Sequence, residues 1–403
     1  MQSSFSGKRI LIGVTGSIAA FKVAGWVSTL AKAEAQISVI MTKAAGQFVT
    51  PLTFSALSGN RVHEDMFSME DGETMSHISL GRDADLVIIA PATAQTIARL
   101  AGGMADDLLT TTILATRAPV ILCPAMNSRM YLHPATQENL KKLKQFGYQV
   151  VDPDCGLMAC KEEGQGRLPE WEQVSEIFLK ALTAQDLAGE KVLITAGPTR
   201  EPLDPARFLS NRSSGKMGYA LAATAYRRGA EVLLVSGPVS LACPFGVQRI
   251  DVKTAREMAD VVWQHAPESS IIVKAAAVAD FRPATEQSEK VKKDRVKPEI
   301  SLIQNPDILY ELGRKKLPGQ ILVGFAAESS NLEEEGRRKL ERKNLDMIAV
   351  NNICSTETGF ESNRNQILLI DNEGSRLLPM TSKEHTADLI WDRVVAISKR
   401  KDF

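Results

Sequence analysis

Residues able to seat an anion or move a proton fall just beyond apolar runs, and they do so in both halves of the chain. In the first half they are Gly16-Ser17, Thr42, Pro91-Ala92-Thr93-Ala94 and Pro124-Ala125-Met126-Asn127. In the second half they are Gly197-Pro198-Thr199, Ser236-Gly237-Pro238, Ala277-Val278-Ala279-Asp280-Phe281 and Gly324-Phe325-Ala326-Ala327-Glu328. The longest such stretch, Lys191 to Gly218, runs from an apolar strand through a polar loop to a helix entered at Asn211-Arg212-Ser213-Ser214-Gly215. Unsatisfied N–H groups at a glycine-bearing helix entry, together with the helix dipole, favour a phosphate. Asp280, just past a buried strand, stands where a metal–phosphate carboxylate belongs, although a turn cap uses the same residue type.

Neither glycine turn is a dinucleotide fingerprint. Gly13-Val14-Thr15-Gly16-Ser17 is not G-x-G-x-x-G, and Thr42 ends the second strand where NAD ribose recognition needs an acid. Hydroxyls and turn amides suit one phosphate, as in flavin mononucleotide, and suit a purely structural turn equally. Ser213-Ser214-Gly215-Lys216-Met217 is not a P-loop either, because Met217 replaces the hydroxyl residue that should follow the lysine. His77 is a lone histidine, a type that packs or caps as readily as it catalyses. Cys160 lies in the glycine-rich run Asp154 to Arg167, long enough for a flap, where a thiol is either an inert small hydrophobe or an acid or nucleophile. Lys290 belongs to a basic, proline-bounded segment between 283 and 300 that reads as a solvated loop and is able to close over phosphates. Lys339 and Lys343 are one helical turn apart, facing either a ligand, a partner or solvent.

The elements that must position these residues alternate. Strands are expected at 8–14, 36–42, 85–90, 119–123 and 148–152, with helices at 17–34, 48–58, 93–101, 106–116, 135–146 and 170–183. After a linker at 183–190 the pattern restarts: strands 191–196, 231–236, 271–277, 320–325 and 346–351, and helices 215–229, 254–264, 332–343 and 382–398. A hairpin near 365–380 turns at Glu373-Gly374. The expected class is α/β, with two doubly wound, Rossmann-like parallel-sheet domains in series: a flavodoxin-like domain at 1–187 and a second, mostly parallel one at 190–403.

Composition agrees with that class and narrows the partners. Charged residues are 24% of the 403, net charge is zero and aromatics are 5%, which argues against nucleic acid and an acidic membrane. The five cysteines form no CxxC pair, so a disulfide framework or structural zinc site is not expected and a reducing cytoplasm is the natural compartment. Lys22, Gly13 and Gly16 interrupt the N-terminal apolar run, so it reads as strand and turn rather than a signal peptide, and no run is long enough to span a membrane.

At these motifs the chain resembles a known family over nearly its whole length. Pro124-Ala125-Met126-Asn127 with Met130 resembles the P-x-M-N-x-x-M motif of flavin-containing cysteine decarboxylases; His77 stands at their active-site histidine, and Gly156 to Cys160 match their substrate-clamp flap. TAGPTREPLDP, NRSSGKMG, AAVADF and GFAAE are similar to the signature of phosphopantothenate–cysteine ligase. The two in this order resemble the bacterial bifunctional enzymes of coenzyme A biosynthesis. The resemblance implies CTP-dependent joining of cysteine to 4′-phosphopantothenate through an acyl-cytidylate, then FMN-dependent decarboxylation to 4′-phosphopantetheine. It implies FMN contacts from Gly16, Ser17, Thr42, Pro91, Ala92, Thr93 and Met126, with His77, Asn127 and Cys160 catalytic. It implies CTP contacts from Gly197, Ser213, Ser214, Gly215, Ala275, Asp280, Phe281, Phe325, Lys339 and Lys343, with Asn211 and Lys290 catalytic and Asp280 on Mg²⁺. Gln304 departs from the family pattern, which has lysine before Asn305-Pro306-Asp307. Self-association, through the second half and around a decarboxylase core, is a further implication. Rival readings are a nicotinamide-dependent flavin enzyme, which lacks its ribose-binding residue here, and a regulatory flavin-binding protein without one or both activities, which has no need of His77 and Cys160.

Overall fold

The computed structural model describes residues 5–67, 75–159, 161–290, 299–352 and 364–401, and the chain divides into two compact units, Met1–Thr183 and Ala184–Phe403. Leu187, inside the expected linker, is buried in the core of the second unit.

The first unit runs β1 (Arg9–Val14), α1 (Ala20–Lys32), β2 (Gln36–Met41), α2 (Pro51–Ser58), β3 (Val62–His63), α3 (Ser76–Asp83), β4 (Leu86–Ala92) and α4 (Ala94–Gly102). It continues through α5 (Leu108–Ala115), β5 (Val120–Pro124), α6 (Ser128–Tyr131), α7 (Pro134–Gln145), β6 (Gln149–Val150), the hairpin β7 (Asp154–Leu157) and β8 (Glu163–Arg167), and α8 (Trp171–Leu182). The main sheet is parallel in the order β3-β2-β1-β4-β5-β6. Without the two-residue β3 this is the 2-1-3-4-5 order of flavodoxin-like folds, whose switch point lies between β1 and β4. β1 and β4 are buried almost throughout, as strands covered on both faces must be. On one face Phe5, Trp26, Trp171 and Phe178 form a ring cluster with centroids 6.0–6.2 Å apart, so α1 and α8 share one seam. The helix α3, which carries His77, was not expected from the sequence.

The second unit runs β9 (Lys191–Ala196), the hairpin β10 (Arg200–Asp204) and β11 (Arg207–Ser210), α9 (Lys216–Arg227), β12 (Glu231–Ser236), β13 (Gln248–Asp251), α10 (Ala255–His265) and β14 (Ile271–Lys274). Then come β15 (Phe281–Pro283), β16 (Leu302–Gln304), α11 (Ile308–Arg314), β17 (Ile321–Glu328), α12 (Leu332–Arg342) and β18 (Met347–Asn352). It closes with β19 (Arg364–Asn365), β20 (Ile367–Asp371), β21 (Gly374–Leu377), β22 (Thr381–Ser382) and α13 (Lys383–Lys401). The large sheet is β13-β12-β9-β14-β17-β18-β20-β21, in which β20 pairs antiparallel with both β18 and β21 and all other neighbours pair parallel. Its parallel part has the Rossmann order, with a switch point between β9 and β14. α13 packs on α9 through Trp391, fully buried, whose indole N–H lies 3.1 Å from both the Leu221 carbonyl and the Thr224 hydroxyl. β14 stops at Lys274, three residues short of the expected strand, although beyond it the Ala275 and Ala277 amides still donate to the Thr195 and Gly197 carbonyls (3.2 and 2.9 Å) and Ala277 bridges to Pro198. There the Ala276 and Ala279 amides donate to the Thr195 and Thr199 hydroxyls (3.1 and 3.0 Å). Among the described residues no helix is long and apolar enough to cross a membrane.

Candidate functional sites

In the first unit a cavity of about 690 Å³ opens at the carboxyl rim of the β1/β4 switch point, lined by Gly16, Ser17, Thr42, Thr93 and Met126 among others. The end of β1 is fastened to the end of β4 by Thr15, whose buried hydroxyl donates to the Pro91 carbonyl (2.5 Å) and accepts from the Thr93 amide (3.1 Å). Thr93 in turn caps α4, accepting from the Thr96 amide at 3.3 Å, which fixes its hydroxyl at the rim. Gly16 is needed for closeness: a Cβ there would sit 2.5 Å from Ala44 Cβ. The Thr42 hydroxyl accepts from the Ala45 amide (3.3 Å) and so holds that opposing turn. Pro91 and Ala92 do not line the cavity; they form the buried strand end behind it.

Asn127 begins α6, accepting from the Arg129 amide (2.9 Å), while its Nδ2 donates to Glu162 Oε2 at 2.9 Å. Arg129 lies 3.6 Å from the same carboxylate. The β7–β8 hairpin therefore meets the P-x-M-N segment directly. A second contact joins them, from the Met126 amide to the Gly166 carbonyl (3.0 Å), and a Cβ on Gly166 would strike the Met126 carbonyl. Cys160, within this hairpin, lies outside the described residues. His77 is on α3 with its Nδ1 buried and without a hydrogen-bond partner among the described residues, and it is not among the cavity's lining residues. Cys123 is fully buried in β5, where burial pushes its thiol well above the ordinary range, leaving it inert.

In the second unit a cavity of about 790 Å³ opens at the β9/β14 switch point and brings together Asn211, Ser213, Ser214, Gly215, Ala275, Asp280, Phe281, Phe325, Lys339 and Lys343. Gly215, with φ of 76°, turns the chain into α9 with no side-chain cap on the helix, and its own amide donates to the Ser213 hydroxyl at 3.4 Å. Gly197, also at positive φ (75°), is packed behind this turn rather than on the cavity wall; a Cβ there would lie 3.0 Å from the Gly237 carbonyl oxygen. Asn211 Nδ2 donates to the Ala277 carbonyl at 3.2 Å, spanning from the helix entry to the segment after β14. Lys290 is exposed and does not line the cavity.

The cavity's floor is strongly charged. Lys274, 8% exposed at the end of β14, is held down to about 8, first by burial and then by the Lys343 charge, against the opposing pull of Asp307 and Asp280. Asp307 caps α11, accepting from the Tyr310 amide (3.1 Å) and from Lys343 (2.9 Å). Burial pushes its carboxyl up, but those bonds and the Lys343 and Lys274 charges leave it below the ordinary range. Lys339 is paired with Glu328. Asn305 donates to the Ala279 carbonyl (2.8 Å), accepts from Arg282 (2.9 Å) and donates its backbone amide to the Asp280 carbonyl (2.8 Å), which fixes the loop carrying Asp280. Among the described residues no group of three His, Cys, Asp or Glu can hold a metal ion. Asp280 therefore offers a single carboxylate, which suits Mg²⁺ that also takes phosphate oxygens and water.

Comparison with known proteins bears on both units. The flavoprotein family model matches residues 2–183, and the model of the DNA/pantothenate metabolism flavoprotein C-terminal domain matches residues 187–397. The coenzyme A biosynthesis bifunctional protein CoaBC of Vibrio cholerae serotype O1 is 46% identical over 389 residues, 96% of this chain and 98% of the relative. Those of Escherichia coli K12 and Bacillus subtilis 168 are each 45% identical, over 396 and 400 residues, covering 97% and 98% of this chain and 98% of either relative. The chain belongs to this bifunctional family. It is an enzyme of coenzyme A biosynthesis, with a flavoprotein unit followed by a pantothenate-metabolism unit.

Several residues of this family member's cavities carried no signal in the motifs. Lys274 ends an otherwise apolar strand, and a charge in a buried run is itself a signal of function. Asp307 follows Asn305-Pro306 as a helix cap, and its pairing with Lys343 closes only in three dimensions. Lys383, Arg342 and Asn351 also line the second cavity, reached from elements far along the chain. Thr15 and Glu162 act through a strand end and a hairpin contact that spacing does not reveal.

Proposed function

We propose that the second unit joins cysteine to 4′-phosphopantothenate with CTP, and that the first unit decarboxylates the product to 4′-phosphopantetheine with FMN. One observation carries the reading: each unit opens its cavity at the carboxyl rim of its own switch point, lined by its own motif residues.

In the ligase step the pantothenate carboxylate attacks the α-phosphate of CTP and pyrophosphate leaves; the cysteine amine then attacks the acyl-cytidylate carbonyl, CMP leaves, and the amine loses a proton to give the amide. Such chemistry is mainly positioning and charge neutralisation. Lys274, Lys339 and Lys343 supply positive charge to the nucleotide, Asp280 offers a carboxylate to Mg²⁺, and the amides after Gly215 face a phosphate. Lys290 reaches in from its exposed segment to neutralise the leaving charge. Asn211 holds the acyl-cytidylate carbonyl for the amine.

In the decarboxylase step bound FMN supplies the electron sink without which loss of CO₂ leaves an unstabilised carbanion. The fit is favourable, because Gly16 lets its turn close tightly against Ala44, and the Ser17 and Thr93 side chains line the rim for a phosphate. Asn127 Nδ2, which already holds a carboxylate from Glu162, would hold that of the substrate. His77, with its unpartnered Nδ1, accepts a proton, and Cys160 returns one to the product. The large exposed apolar residues Phe21, Leu52 and Phe67 of this unit suit self-association. The phosphorylated substrates and thiols of this chemistry belong in a reducing cytoplasm.

The test is the visible spectrum of the purified chain, then pyrophosphate release with CTP against ATP. A yellow protein whose release depends on phosphopantothenate, cysteine and CTP is expected. A colourless protein overturns the decarboxylase half, and absent or ATP-preferring release overturns the ligase half. Cys160→Ser is expected to release CO₂ without forming the finished thiol; unchanged turnover removes its role.

A further inference from the structure

Asn127 faces two ways at the start of α6. Its Oδ1 accepts from the Arg129 amide (2.9 Å), which turns its Nδ2 outward, and that nitrogen donates to Glu162 Oε2 at 2.9 Å. The other oxygen of the same carboxylate, Oε1, lies 3.6 Å from the Arg129 guanidinium. An amide donor and a cation thus divide the two oxygens of one carboxylate between them, which suits an anion of this shape better than a neutral acceptor. The backbone at Glu162 is held by other bonds. The Met158 amide donates to the Glu162 carbonyl and the Lys161 amide to the Met158 carbonyl, both at 2.9 Å, with Lys161 at a φ of 63°. The Met126–Gly166 bond holds the base of the hairpin, and a Cβ on Gly164 would lie 2.8 Å from the Ser128 hydroxyl oxygen, so the two segments pack closely. The Glu162 side chain is 44% exposed, and rotation about its own bonds is enough to carry its carboxylate from Asn127 into water.

We propose that the Glu162 carboxylate is a stand-in for the carboxylate of the substrate, seated on Asn127 until the substrate displaces it and seated again once that group has left as CO₂. This deepens the decarboxylase reading and rests on it. Glu162 is then a positioning residue, acting through Asn127. An amide nitrogen turned into a half-enclosed site without an acceptor forfeits a hydrogen bond. Glu162 supplies that acceptor between turnovers and keeps Asn127 in the orientation the substrate needs. The arriving carboxylate exchanges one charge-assisted bond for another, so its binding is weakened by the bond it must replace. The decarboxylated product carries no carboxylate, and the seat returns to Glu162 without a competitor. The group that opens the seat is the group the reaction removes, so substrate and product are held differently at this one point.

The experiment measures release of labelled CO₂ by the flavin-loaded full chain from 4′-phosphopantothenoylcysteine, with 4′-phosphopantetheine as inhibitor. Glu162→Gln keeps the shape of the side chain and removes its charge. It is expected to lower KM for the substrate about 3–10-fold, the range for a partly exposed charge-assisted bond, and to leave Ki of the product within about two-fold. Glu162→Ala is expected to repeat the fall in KM, since it removes the competitor altogether. A hairpin that needs Glu162 only for docking gives the reverse, with KM and Ki rising together. A wild-type chain that releases CO₂, with variants whose KM is unchanged or raised, or whose Ki falls in step with KM, overturns the stand-in alone. A wild-type chain that releases no CO₂ from this substrate overturns the decarboxylase reading and the stand-in with it.

Discussion

The two cavities occupy the same topological place and are built from different chemistry. In the first unit the rim offers hydroxyls, turn amides and a hairpin latched by Asn127 and Glu162. In the second, two deeply buried lysines, Lys274 and Lys383, and the Asp307–Lys343 pair crowd the floor. A tightly held cofactor with one phosphate needs shape and a few donors, because it brings its own reactivity. A reaction that drives a carboxylate onto a phosphate needs opposing charge supplied by the protein, and buried cations supply it where water does not screen them. One architecture thus serves both steps, and the difference lies in what the strand ends carry.

That contrast is breakable. The largest effect is expected from Trp391→Ala, which empties a fully buried site and leaves two groups on α9 without their donor, at a cost of about 3–5 kcal/mol. Ligase activity should be lost on mild heating while flavin absorbance persists; loss of flavin at the same temperature contradicts separate units. Next, Lys274→Met should lower CTP-dependent kcat/KM about 100-fold, the range for one preorganised charge, with the spectrum unchanged. A drop under about three-fold makes Lys274 a structural lysine. Gly16→Ala is the counterpart in the first unit. Its Cβ pushes against Ala44 and should weaken flavin retention about 10-fold or more, read by equilibrium dialysis, leaving pyrophosphate release intact.

The smallest effect concerns pH. Lys383 sits near 8 in the fold against the ordinary 10.5, so between those values the unfolded chain binds more protons than the folded one. Stability contributed by this group therefore rises with pH from about 8 towards 10.5 and is flat below, by about 1 kcal/mol allowing for solvent. Urea midpoints of the ligand-free protein at pH 8 and pH 10 should show the rise, and Lys383→Met should flatten it. An equal rise in the variant removes the effect from Lys383.

Much of this was legible in the sequence because it is local. The apolar runs gave the parallel strands, and glycine before a helix gave both cavity-lining turns. Gly16, Ser17 and Thr93, like Ser213 to Gly215, reach their cavity walls because strand ends define them. What remained hidden depends on contacts between distant segments. Lys383 and Lys216 line one cavity only because α13 folds back on α9, and Asp307 meets Lys343 across two helices. Gly197, Pro91 and Ala92 belong to the right turns but face inward, since a motif fixes a loop's path and not which of its residues is exposed. His77 and Lys290 sit on the right units away from the lining residues, and Cys160 lies outside the described residues. Helix α3 escaped because Ser76 to Asp83 is short, with no capping residue at Met75 and one buried position, Gly81.

The most direct measurement follows both products of one incubation: the full chain with 4′-phosphopantothenate, CTP and cysteine labelled at its carboxyl carbon, with no nicotinamide added. One labelled CO₂ for each pyrophosphate, from a protein that stays yellow, is the expected result for two consecutive steps on one chain. Pyrophosphate without labelled CO₂, or CO₂ only when a nicotinamide reductant is supplied, contradicts it.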